Sequence, residues 1–192
     1  MHKPTISLYS LDGQRKYLNR YELRSFLECS KNQPLHKRLF CQLLFYTGAR
    51  ISEIHNLTTS NIDFSNKTVV IETLKKRKRG IYREIPLPDF LLKDLEYYIS
   101  KIEYQKEGTQ LWQFSLRTAS RNIKTTMKEA DISGIRTSAK SLRHGFAVLA
   151  VDVAPVTVVQ KWLGHSSLET TAIYLDVIGT EEREIAERVW MH

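Results

Sequence analysis

The chain is poor in cysteine: Cys29 and Cys41 are the two in 192 residues, and both fall inside apolar helical patterns. A disulfide framework is therefore not expected, and both thiols read as core residues of a protein from a reducing compartment. Long hydrophobic runs are also lacking. The longest, Phe146 to Val151, is far too short to cross a bilayer, and Met1-His2-Lys3-Pro4-Thr5 carries no apolar signal segment, so the expectation is a cytoplasmic protein with no membrane partner. No glycine-rich phosphate loop occurs, and no His, Cys or acidic cluster stands at metal-ligand spacing. The sequence thus points away from a nucleotide- or metal-dependent site and calls for no cofactor.

Positive charge is what the chain has in surplus. Its 29 Lys and Arg against 21 Asp and Glu give a net charge of +8 and a pI near 9.5. Such a balance favours an anionic partner, nucleic acid or an anionic surface, and does not choose between them. Hydrophobic residues at 42% and charged residues at 26% are those of a folded globular protein, and the length suits one well-cored domain.

Taken in order, Thr5 to Leu18 alternates around Asp12-Gly13 and predicts a small N-terminal β-hairpin. Asn19 followed by Glu22 suits a capped helix start, and Pro34 opens a second helix with Leu39, Phe40, Leu43 and Leu44 as its buried stripe. Gly48 ends that helix. Arg50 then starts another, with Ile51, Ile54 and Leu57 facing inward and Glu53 placed to hold the guanidinium. A cation at the positive end of a helix is disfavoured unless an anion comes between them, which hints at function; a surface arginine paired with Glu53 is the plainer reading.

Thr68 to Leu74 and Ile81 to Leu87 read as two strands of a hairpin whose tip, Lys75 to Gly80, is strongly basic. Runs of this kind are usually solvated, or attract phosphates, which makes Lys76, Arg77, Lys78 and Arg79 candidate DNA contacts. Asp89 can cap a helix through Ile102. The next helix, Leu116 to Ala130, carries Arg117, Arg121, Lys124 and Lys128 on one face, equally suited to solvent and to a DNA backbone. Ser138 caps a helix with Lys140 and Arg143 on a shared face, Leu142, Phe146 and Leu149 on its core side, and His144 about a quarter turn away as a packed, hydrogen-bonded histidine. These elements sum to a mainly α fold with a small β-sheet, an α+β class.

The densest stretch is Gln160 to Asp176. It predicts a short helix ending at Leu163-Gly164, a turn displaying His165, and a second helix capped by Ser166 or Ser167, with Tyr174 one turn in. Thr180 to Trp190 follows as a last amphipathic helix with Ile185, Val189 and Trp190 on one side.

Leu163-Gly164-His165-Ser166-Ser167-x-x-Thr170-Thr171-x-x-Tyr174 resembles the C-terminal signature of the tyrosine recombinase, or phage integrase, family. Two more pieces of that signature stand upstream in the family's order, Thr47-Gly48-Ala49-Arg50-Ile51-Ser52-Glu53 and Leu142-Arg143-His144-Gly145-Phe146-Ala147. The resemblance runs from about Tyr17 to Val189. It implies the DNA breaking-rejoining catalytic-domain fold over residues 19–179, after an N-terminal extension at 1–18 and before a helix at 180–192 that in the family often docks on a neighbouring protomer.

The resemblance further implies site-specific recombination of double-stranded DNA by a homotetramer through a 3′-phosphotyrosyl intermediate, without metal or ATP. Tyr174 would be the nucleophile, Arg50 and Arg143 the clamp on the non-bridging oxygens, and His165 and Lys140 further donors. Lys140 stands where the family most often has histidine. A hairpin lysine would protonate the leaving 5′-oxygen; spacing from the first strand selects Lys75, and counting back from Pro86 selects Lys78. The family's usual N-terminal clamp domain is not represented, so the expectation is a catalytic-domain-only member, gripping DNA weakly, through its hairpin or with an accessory DNA-binding protein. A type IB topoisomerase and a non-catalytic DNA-binding regulator are the competing classes. The apolar last helix favours an assembling recombinase over the first, and the complete catalytic set argues against the second.

Overall fold

The computed structural model describes residues 7–74, 80–102 and 108–176, together with 186–187 and 189–190. Before the first helix, Tyr9 and Arg15 form one isolated antiparallel bridge around the Asp12-Gly13 turn. Among the described residues the expected hairpin is short, its arms joined by hydrogen bonds from the Ser10 N–H to the Gln14 carbonyl and from the Lys16 N–H to the Leu8 carbonyl. Its flanks are anchored all the same, because Leu8, Tyr17 and Leu18 are buried.

Helix α1 (Arg20–Lys31) starts as its sequence predicts: Asn19 Oδ1 accepts from the Glu22 N–H and Glu22 accepts from the Asn19 N–H, a reciprocal cap that satisfies two otherwise orphaned donors. Helix α2 (Leu35–Thr47) is the centre of the fold. It is buried at seven positions, including all four of its predicted stripe, and packs on α1, α3 (Ile51–His55), α4 (Asp89–Ser100), α5 (Leu116–Glu129) and α6 (Ala139–Val153). Trp112 closes this core against Phe40 and donates its indole N–H to the Ile54 carbonyl at 2.7 Å.

A three-stranded antiparallel sheet, β1 (Ile62–Asp63), β2 (Thr68–Glu72) and β3 (Tyr82–Pro86), lies in sequence order beside α3 and α7 (Val156–Leu163). β2 and β3 alternate buried and solvent-facing residues, with Val69, Ile71 and Ile85 turned inward. The two-residue period also turns Arg83 inward, opposite Ile71. A smaller second core gathers Leu8, Tyr17, Ala147, Val148, Val159, Leu163 and Tyr174. Among the described residues no helix is long and apolar enough to cross a membrane.

Several local expectations shift. Pro88, not Asp89, is the N-cap of α4; Asp89 sits in the first turn and pairs with Lys67 in the open. Leu57 lies past the end of α3 and Ile51 is half-buried. On α6 the buried band is wider than a single stripe: Arg143 and His144 are inside, and Phe146 and Leu149 are half-buried. Helix α8 (Glu169–Ala172) is four residues long with Leu168 as its N-cap, while Ser167 Oγ accepts from the Glu169 N–H. Tyr174 therefore lies in the turn after α8. A single turn carrying Thr170 and Thr171 cannot sustain a longer helix alone, and contacts with α7 hold this one.

Candidate active site

Two left-handed glycines shape the site. Gly48, with φ of 59°, ends α2, and a Cβ there would lie 2.2 Å from the Phe146 ring. Gly164, with φ of 63°, ends α7 and turns the chain so that His165 faces back toward α6. Side chains larger than hydrogen are strained at both positions.

Arg50 is the N-cap residue of α3. Its N–H donates to Glu53 Oε2 at 2.9 Å and its Nη1 donates to Glu53 Oε1 at 2.8 Å. The carboxylate thus supplies the anion that a cation at a helix start requires. Glu53 is fully buried and also takes Arg83 Nη2 at 2.6 Å. Burial pushes the Glu53 carboxyl up, but the charge and hydrogen bond of Arg83, joined by Arg50, outweigh it and hold the group below the usual carboxylate range. Arg83 further donates to the Trp162 carbonyl and to Thr73 Oγ1. One buried guanidinium therefore ties β2, β3, α3 and α7 together.

Arg143, 7% exposed, donates from Nη1 to the Gly48 carbonyl and from Nη2 to the Leu163 carbonyl, each at 2.7 Å. Nη2 also lies 3.1 Å from His165 Nε2. Because a guanidinium only donates, Nε2 must accept there; the His165 proton then sits on Nδ1, 2.9 Å from Thr171 Oγ1. Burial, then the nearby Arg50, push Arg143 down to about 9, so it is charged at neutral pH but gains from an incoming anion.

Tyr174 is 1% exposed. Its ring stacks on His165 at 6.3 Å and 11°, and its hydroxyl lies 2.7 Å from His144 Nδ1. Burial pushes the phenol up to about 12 against the opposing pull of Arg143 and Arg50. His144 is pushed down to about 4 by burial, then by Lys140 and Arg143, and is neutral at physiological pH. Lys140 is exposed at the rim. A pocket of about 430 Å³ is lined by Arg50, Lys140, Arg143, His144, His165 and Tyr174.

The structure thus brings Arg50, Lys140, Arg143, His165 and Tyr174 to one cavity. Lys75, Lys76, Arg77, Lys78 and Arg79 lie outside the described residues; Thr73 and Ile81, one residue beyond the ends of β2 and β3, border a second cavity beside Arg50 and His165. Arg117, Arg121, Lys124 and Lys128 are all exposed on the face of α5 opposite Ala119, Ile123 and Met127, and the first three share a surface groove with Ile51. Among the described residues no group of three or more His, Cys, Asp or Glu is placed to hold a metal ion.

Sequence reasoning missed Arg83, Thr171 and the partner of His144. Strand alternation was the available signal for Arg83, since it falls in phase with Val69, Ile71 and Ile85. The two histidine contacts join residues 30 and 6 apart in sequence and leave no local trace.

A helical domain with a small antiparallel sheet, and a cavity joining two arginines, a histidine and a buried tyrosine, define a DNA breaking-rejoining catalytic fold. The chain belongs to the phage integrase family, which it matches over residues 16–180. It is 31% identical over 178 residues to the tyrosine recombinase XerA of Thermococcus onnurineus (strain NA1), an alignment covering 90% of this chain and 62% of that protein. The structure of XerH site-specific recombinase bound to a palindromic difH substrate superposes with a TM-score of 0.76 at 25% identity, over 92% of this chain and 54% of that one. The catalytic domain of bacteriophage HP1 integrase superposes at 0.64 and 22% identity, over 85% of this chain and 88% of that domain. The chain spans about 60% of the length of its curated XerA relatives.

Proposed function

We propose that this chain is a site-specific tyrosine recombinase that cuts and rejoins double-stranded DNA through a covalent 3′-phosphotyrosyl intermediate. The observation that carries this reading is the convergence of Arg50, Arg143, His165 and Tyr174, from three separate sequence motifs, on one cavity. A scissile phosphate in that cavity meets the guanidinium of Arg50 and the unused N–H groups of Arg143, which neutralise charge as it develops on the non-bridging oxygens. Tyr174 Oη attacks phosphorus as its proton passes to His165 or Lys140, the P–O5′ bond breaks, and O5′ takes a proton from a hairpin lysine, Lys75 or Lys78. Lys140 and His165 add donors to the phosphate; for His165 this requires moving its proton from Nδ1 to Nε2, which the Thr171 hydroxyl accommodates by donating instead of accepting.

The phosphotyrosyl bond conserves the energy of the broken linkage, so a 5′-hydroxyl from another strand reseals it with no call for ATP or metal. In this reading residues 19–179 form the catalytic unit, with 1–18 as an extension and 180–192 docking on a neighbour in a homotetramer on DNA. Val189 and Trp190, both more than two-thirds exposed, suit such a contact. The test is capture of protein on nicked DNA fragments from the host genome, resolved under denaturing conditions. Wild type is expected to give a protein-DNA adduct and Tyr174→Phe none; adducts from both would overturn the assignment of the nucleophile.

A further inference from the structure

Resting on the recombinase reading above, we infer that His144 is a positioning residue for the nucleophile: its Nδ1 fixes the phenolic oxygen of Tyr174 against the phosphate cavity. The contact is buried and 2.7 Å long, and it is the hydroxyl's one hydrogen bond among the described residues. His144 Nε2 is buried with no partner among the described residues. A buried ring nitrogen without a partner is costly, and the bond at Nδ1 is the ring's one compensating polar contact among the described residues.

The placement explains the use. His144 follows Arg143 on α6, and consecutive helical side chains diverge by about 100°. Arg143 reaches the Gly48 and Leu163 carbonyls, while His144 reaches Tyr174. One helical segment thereby sets both the phosphate clamp and the attacking oxygen, so their separation is built into a rigid backbone. The other side of the tyrosine is held through Thr171, whose hydroxyl meets His165 Nδ1 and whose carbonyl accepts from the Tyr174 N–H. A phenol turns freely about its ring axis but not off it, so a single directional bond at the hydroxyl, with the ring stacked on His165, is enough to fix Oη. Small displacements of a reacting atom are expensive in rate.

The test compares His144→Asn, whose amide can reach the position of Nδ1, with His144→Ala. Single-turnover adduct formation is measured on the nicked fragments captured by wild type, with DNA affinity measured separately. The expected result is a loss of about 10- to 100-fold in the adduct rate for the Ala variant, unchanged DNA affinity for both variants, and a rate within a few-fold of wild type for the Asn variant. Equal losses in the two variants, or an Ala variant as fast as wild type or faster, would overturn the positioning role. Side-chain ¹⁵N spectra add a readout without DNA: Tyr174→Phe should shift the His144 Nδ1 resonance, and an unmoved resonance would contradict the contact. Adducts formed by Tyr174→Phe would instead count against the recombinase reading itself.

Discussion

Two regions among the described residues carry clustered positive charge, and they use it in opposite ways. On α5, Arg117, Arg121, Lys124 and Lys128 stand in solvent with no ion-pair partner among the described residues. Between α3, β3 and α6, Arg50, Arg83 and Arg143 are buried or half-buried, and each is fixed by named acceptors. Exposed charge acts at a distance, is screened by salt and tolerates change. Buried charge is held in one geometry because every N–H group left without a partner there is costly. The first arrangement suits affinity for a polyanion and the second suits stabilising one particular phosphate.

The largest effect that would sharpen this contrast is at Arg143. Arg143→Lys keeps a cation but cannot donate to Gly48, Leu163 and a phosphate together, so the adduct rate should fall about 10²- to 10³-fold in single-turnover assays. A loss of only a few-fold would place Arg143 with the α5 stripe. Next comes the ion pair beneath it. Glu53→Ala leaves Arg83 buried without its anion, and urea unfolding should show a loss of about 3–5 kcal/mol, whereas exposed pairs such as Lys67–Asp89 should register at most about 1 kcal/mol.

A pH series makes the same distinction more finely. His144 has its folded pKa depressed to about 4, below the unfolded value of about 6.5. In that interval the unfolded chain binds the extra proton, so the stability tied to neutral His144 is complete above about pH 6.5 and declines as pH falls toward 4. His144→Asn should flatten this part of the profile, and an unchanged profile would show that the ring is not held neutral by burial. The smallest effects belong to α5. Arg121→Ala should weaken DNA binding a few-fold, reduce the salt slope by about 1 and leave the adduct rate at saturating DNA unchanged.

The same divide separates what the sequence made legible from what it did not. Elements governed by local rules were readable: the Asn19–Glu22 cap, the Gly48 and Gly164 helix ends, the two main strands and the Ser138 start of α6 all follow from neighbours in the chain. The convergence of Arg50, Arg143, His165 and Tyr174 on one cavity follows from three short motifs, and Lys140 joins them from one turn of α6 before Arg143. The parts that escaped depend on packing across the fold. Arg83 stands in a strand beside a basic tip, and only its inward phase across the fold brings it to Glu53, while His144 reads as packed without its partner being given. Tyr174 was expected inside a helix that ends two residues before it, because propensity alone does not show where contacts with α7 stop supporting the turn.

The central claim is that Tyr174 Oη becomes covalently joined to a DNA phosphate. The most direct measurement digests the captured adduct with nuclease and protease and maps the nucleotide-bearing peptide by mass spectrometry. The account predicts a 3′-linked nucleotide on Tyr174. A nucleotide on any other residue, or an adduct joined through a 5′-phosphate, would contradict it.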